Sequence, residues 1–123
     1  MPSRIAITGA GGMLGRDLAR ALAGRELALL DHRACDVTDG QATLSRIREA
    51  RPEVVLHLAA FTKVNECERD PVHAFRVNVL GTRYVAAATN AAGARLVYIS
   101  TDYVFDGKKR RSEERRVGKE CRL

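Results

Sequence analysis

The first place where this chain could do chemistry is Thr8-Gly9-Ala10-Gly11-Gly12-Met13-Leu14-Gly15. Backbone N–H groups at the start of a helix gather partial positive charge and bind a pyrophosphate that can come close. A Cβ at Gly9 or Gly12 would block the turn or that approach, and Gly15 lets the helix lie close to the preceding strand. Gly9, Gly11, Gly12, Met13, Leu14 and Gly15 are therefore the expected cofactor turn. Ile5-Ala6-Ile7-Thr8 before it reads as a buried strand and Met13 to Ala23 after it as a helix. That context separates a dinucleotide site from an ordinary glycine-rich loop.

Further groups belong to the same chemistry. Asp31 follows a second apolar run, where an acid bonds the adenosine ribose hydroxyls and repels a 2′-phosphate, favouring NADH. Arg33, two residues on, pairs with such a phosphate and favours NADPH, so the cofactor is NADPH or NADH. Asp36 and Val37 fall near the adenine. Ala59, Ala60 and Phe61 end the strongest strand with small residues that leave room for the cofactor, or else pack tightly there. Asn78 is costly inside a helix if buried without partners, and either sits on the helix surface or, as its resemblance to an Asn of the short-chain dehydrogenases implies, braces the site. Finally, a hydroxyl at a strand's carboxyl end donates to a carbonyl oxygen that gains charge during hydride transfer, a role worth roughly 10²–10³ in rate. Ser100 and Thr101 both qualify on chemistry alone.

These groups need a frame, and the hydrophobic pattern supplies one. Leu14, Leu18 and Leu22 mark one face of the first helix, closed by Gly24. Leu27 to Leu30 forms the second strand, and a short third is expected near Ala34-Cys35. Asp39 caps a helix with Leu44 and Ile47 on its inner face, ended by Pro52. Val54 to Ala60 is apolar throughout, as a central parallel strand must be. Asp70-Pro71 opens a long helix to Ala92 with Gly93 as its end, and Leu96 to Ser100 is the next strand. The alternation predicts an α/β Rossmann-type doubly wound parallel sheet of about five strands, truncated, over residues 1–107.

The bulk properties exclude several other classes. The chain has 123 residues and a net charge of +6. Residues 108–123 hold eight basic and three acidic residues, a balance of +5, which leaves +1 for the other 107. The basicity belongs to that segment and not to the fold, so neither nucleic acid nor a membrane surface is an expected partner. Cys35, Cys67 and Cys121 are widely spaced, and no metal site is expected. The N-terminus lacks the pattern of a signal peptide, which predicts a cytoplasmic location.

The spacing Gly9, Gly12, Gly15 is the TGxxGxxG pattern of short-chain dehydrogenases. Ser100-Thr101-Asp102-Tyr103-Val104-Phe105-Asp106-Gly107 resembles the dTDP-4-dehydrorhamnose reductases, as do Ala59 to Val64 and Asp36-Val37-Thr38-Asp39. The resemblance runs from Arg4 to Gly107. It implies an NAD(P)-dependent oxidoreductase that acts on CH–OH groups and reduces a 4-keto nucleotide sugar, with Thr101 as the catalytic hydroxyl. It also implies that Thr62, Val64, Asp102 and Tyr103 line the sugar side and that the parent protein forms a homodimer. His57 and Tyr98 are read as core or wall. The regulatory beta subunits of methionine adenosyltransferases share much of the pattern, so a non-catalytic dinucleotide-binding subunit is the alternative.

The resemblance also implies a Tyr and a Lys four residues apart. Tyr84, Tyr98 and Tyr103 are followed at that spacing by Ala88, Asp102 and Gly107, so the chain itself is expected to be inactive. Residues 111–121 resemble no reductase segment and are similar to a translated sequencing adapter. The basic tail, 108–123, is expected to be disordered and artefactual, and the shortened sheet to leave an edge and apolar surface uncovered.

Overall fold

The computed structural model describes residues 4–60 and 68–99. Residues 4–8 form β1 (Arg4–Thr8), buried from Ile5 onward because strands lie against it on both sides. It pairs in parallel with β2 (Glu26–Leu30) and with β3 (Val54–His57), and β3 pairs with β4 (Arg95–Tyr98). The strand order is β2-β1-β3-β4. The chain thus steps outward from β1 to β2 and then returns to the other side of β1. Between the carboxyl ends of β1 and β3 the connections diverge and leave a crevice.

Successive residues of a strand point to opposite faces, and each face has its own core. On one face Ala6 and Val55 meet Ile47 of α2 (Gly40–Ala50) and Val85 and Ala88 of α4 (Thr82–Ala91). On the other, Ile5, Ile7 and Ala10 meet Leu22, at the end of α1 (Met13–Ala21). A row of four apolar residues crosses this second face in register: Leu29, Ile7, Leu56 and Val97. Ile7 is fully buried, but Leu29 is 50% and Val97 44% exposed, so the expected uncovered apolar surface lies at both ends of the row.

Local hydrogen bonds explain the element ends. Asp39 caps α2 by accepting from the Ala42 N–H at 3.1 Å. Arg51 closes α2 in a left-handed conformation, and its carbonyl accepts from Arg4 Nε at 2.7 Å. Beyond His57 the strand stops: the Leu58 N–H is shared between the Thr8 carbonyl at 3.3 Å and the Thr8 hydroxyl at 3.1 Å, and the Ala59 N–H turns to that hydroxyl at 3.3 Å.

Two expectations change. The short strand near Ala34-Cys35 is a turn: Asp31 takes the Ala34 N–H on its Oδ1 and the Cys35 N–H on its carbonyl, leaving neither for a ladder. The described residues therefore hold four strands where about five were expected. The long helix from Asp70 begins as α3 (Pro71–Phe75), capped by Asp70 on the His73 N–H, and is then π-helical over Arg76–Gly81 before α4. The Thr82 hydroxyl donates to the Asn78 carbonyl at 2.8 Å, which occupies a backbone acceptor at this widened turn. None of the described helices is long and apolar enough to cross a membrane.

Candidate cofactor site

The crevice at the β1/β3 switch point opens into a cleft of about 580 Å³. Nine of the residues singled out from sequence line it: Gly9, Gly11, Gly12, Asp31, Arg33, Asp36, Val37, Ala59 and Ala60. They come from three separate segments, and the parallel pairing of β2, β1 and β3 sets the carboxyl ends that carry them side by side. Met13, Leu14, Gly15 and Asn78 are not among the lining residues. Phe61, Thr62, Val64, Thr101, Asp102 and Tyr103 lie outside the described residues.

The glycines of the turn do different jobs. Gly9 has φ +64°, and a Cβ there would sit 2.6 Å from the Ala59 nitrogen, so glycine is needed for the turn to pass β3. A Cβ at Gly15 would lie 2.5 Å from the Gly9 carbonyl oxygen, so this glycine seats α1 against the turn. At Gly11 and Gly12 a Cβ would meet its nearest neighbours at 3.5 and 3.4 Å, ordinary contact distances. Among the described residues nothing requires glycine at these two positions, yet both front the cleft. Their bare backbone suits a ligand that approaches the main chain closely.

The helix start behind them is equally open. Gly12 caps α1 with no side-chain hydrogen bond, and no acidic residue occupies the first turn. The Met13 side chain is 87% exposed and Leu14 about half exposed, which leaves their contribution to the backbone. The first N–H groups of a helix have no partner within it, so this end can receive an anion. A pyrophosphate fits these residues.

Across the cleft two acids are held by their own turns. Asp31 Oδ1 accepts from Ala34 N–H at 2.8 Å, which presents His32 and Arg33 on the turn between. Asp36 Oδ1 accepts from the Thr38 hydroxyl at 2.7 Å and the Thr38 N–H at 3.0 Å. These bonds, first the hydroxyl and then the amide, hold the Asp36 carboxyl below its ordinary range, and His32 and His73 add to the effect. Asp36 thus stays an ionised acceptor at the cleft wall. Cys35 also lines the cleft but is buried, and burial pushes its thiol up, away from the reactive thiolate.

His32, Thr38, Leu58, His73 and Val77 line the cleft without having been singled out from sequence. Asp70-Pro71 fixes the helix start and so places His73 in its first turn, but nothing in the local sequence brings that turn to the cleft. Among the described residues no cluster of His, Cys, Asp or Glu could hold a metal ion.

Beneath the cleft floor lies His57, 1% exposed, in keeping with its reading as core. Its Nδ1 is 2.7 Å from the Thr8 hydroxyl and its Nε2 3.0 Å from the Thr82 hydroxyl. Tyr98 stacks on the ring with centroids 5.7 Å apart. Burial lowers the His57 pKa to about 4, so the imidazole is neutral.

Comparison with known proteins agrees with this geometry. The family described as the RmlD substrate binding domain matches residues 3–116. A dTDP-4-dehydrorhamnose reductase of Streptomyces griseus is 48% identical over 103 residues, 82% of this chain and 34% of that protein. One from Aggregatibacter actinomycetemcomitans is 42% identical over 110 residues, 87% of this chain and 37% of that protein. The crystal structure of dTDP-4-dehydrorhamnose reductase from Bacillus anthracis in complex with NADP superposes with a TM-score of 0.83 at 39% identity. That alignment covers 89% of this chain and 40% of that one. The chain spans a little over a third of the length of the curated relatives it matches. By the extent of the match, this chain belongs to the RmlD substrate binding domain family.

Proposed function

We propose that the chain is the dinucleotide-holding part of an NAD(P)H-dependent reductase of a 4-keto nucleotide sugar. The observation that carries this reading is the pair Gly11 and Gly12, bare toward a cleft at the switch point though packing among the described residues does not require it. The start of α1 would hold the pyrophosphate through its backbone N–H groups. Asp31 and Arg33 would flank the adenosine ribose, with Asp36 and Val37 at the adenine and Ala59 and Ala60 making room beyond. The Bacillus anthracis relative was crystallised with NADP, which favours the phosphorylated cofactor and gives Arg33 a partner.

Bound there, the cofactor supplies a hydride for a carbonyl carbon. On this reading Thr101 donates a hydrogen bond to the carbonyl oxygen, and Thr62, Val64, Asp102 and Tyr103 contact the sugar nucleotide. The 123-residue chain holds no Tyr with a Lys four residues later, so alone it binds cofactor without turnover. A diffusible nicotinamide cofactor and substrate favour the cytoplasm, and the family resemblance implies a homodimer for the parent protein.

The test is to incubate the purified chain with NADPH and a dTDP-4-keto-6-deoxy sugar and follow 340 nm absorbance beside equilibrium dialysis. Binding without oxidation is expected. Retention of neither NADPH nor NADH would end the reading, and turnover would overturn the assignment of the proton-donating pair to a missing Tyr and Lys.

A further inference from the structure

We propose that His57, as its neutral Nε2–H tautomer, is a positioning residue that ties the three walls of the cleft together and thereby sets dinucleotide affinity. This rests on the dinucleotide reading of the cleft. His57 does not itself line the cleft, so it must act through its partners.

The proton arrangement follows from the two ends of the chain of bonds. At one end the Thr8 oxygen accepts from the Leu58 and Ala59 N–H groups. At the other, the Thr82 hydroxyl spends its single proton on the Asn78 carbonyl. The Thr82 oxygen can then only accept from His57, so Nε2 carries the hydrogen. Nδ1 is left bare and takes the Thr8 proton. One assignment satisfies every group, and all donors point the same way, from the β3 exit to the π segment. Such one-directional chains strengthen each other in a buried setting.

Each end of the relay touches the cleft. Thr8 precedes Gly9, and Leu58 and Ala59 are lining residues. Asn78 follows Val77, another lining residue, and Gly81 of the same π segment packs so closely on Val37 that a Cβ would come within 2.8 Å of it. The glycine turn, the β3 exit and the π segment are therefore linked through one imidazole. The tolerance is small, since Gly9 clears Ala59 only by lacking a Cβ.

The experiment is NADPH titration of the wild type, Thr82→Val, Thr82→Ser and His57→Gln, with a ¹⁵N spectrum of the His57 imidazole. Thr82→Val keeps volume but removes the acceptor of Nε2–H, and should weaken NADPH about tenfold, one hydrogen bond's worth. Thr82→Ser should bind within about twofold of wild type, since it keeps the hydroxyl. The wild-type spectrum should show Nε2–H, with a shift on NADPH addition that Thr82→Val abolishes. Equal affinity for Thr82→Val, His57→Gln and wild type would overturn the proposal. An Nδ1–H tautomer in the wild type would overturn it even if the variants fail to fold. A wild type that binds no NADPH would remove the dinucleotide reading and the proposal with it.

Discussion

The Gly9 Cα and the Ala59 backbone nitrogen are so close that a methyl group on the former would lie 2.6 Å from the latter. Gly12, three residues on, has no such neighbour. The two glycines therefore make separable contributions. Gly9→Ala should destabilise the fold by about 3 kcal/mol, combining left-handed backbone strain with overpacking. Gly12→Ala should cost about 1 kcal/mol, the advantage of glycine over alanine at an N-cap, and so clearly less than Gly9→Ala. Urea denaturation of both variants checks this, and equal losses would contradict the division of roles.

His57 makes the fold sensitive to acid. Its ordinary pKa is about 6.5 in the unfolded chain, against about 4 when folded. The folded state thus favours the neutral ring, and the full stability is present above pH 6.5. As pH falls from 6.5 to 4 the unfolded chain binds the proton first, and about 3 kcal/mol should be lost. Asp36, with its lowered carboxyl, loses its own contribution only below its ordinary pKa of 3.8. Urea midpoints at pH 7, 5.5 and 4.5 should therefore fall in the wild type and stay nearly level in His57→Gln. Parallel declines in both proteins would contradict the assignment.

Arg33 sits on the turn that Asp31 holds through the Ala34 N–H, at the cleft wall. Arg33→Gln should raise the Kd for NADPH about tenfold by removing a charge-assisted bond to the 2′-phosphate. NADH, which lacks that phosphate, should bind within about twofold of before. An equal loss for both cofactors would remove Arg33 from the phosphate and return the choice to Asp31.

Much of this arrangement was legible locally. Asp39 before a helical pattern and Asp70-Pro71 both cap where their side chains predict, because an N-cap bond spans only three residues. The glycine turn was legible for the same reason. The strand expected near Ala34-Cys35 failed because Asp31 competed for the Ala34 N–H, a side-chain bond that hydrophobic pattern does not encode. The π segment was hidden too, since nothing in a helical pattern foretells a turn shaped by Thr82 and the close contact of Gly81 with Val37. His73 reaches the cleft only because its helix starts beside the Asp36 turn, a long-range fact.

Arg51 adds a simple check on the backbone. It closes α2 at φ 46°, where side chains are strained and glycine is not. Arg51→Gly should raise stability by roughly 0.5–1 kcal/mol, since the carbonyl that accepts from Arg4 is kept. A loss of stability in thermal unfolding would show that the Arg51 side chain matters more than its backbone.

Calorimetric titration of the wild-type chain with NADPH, beside Gly12→Val, tests whether the cleft holds a dinucleotide at the start of α1. One-to-one binding by the wild type and at least a tenfold loss in the variant are expected, with a melting temperature lower by only a few degrees, as for valine in place of glycine at an N-cap. A branched side chain at Gly12 would stand where the pyrophosphate must approach. Equal binding by the two proteins, or no binding by the wild type, would contradict the dinucleotide reading.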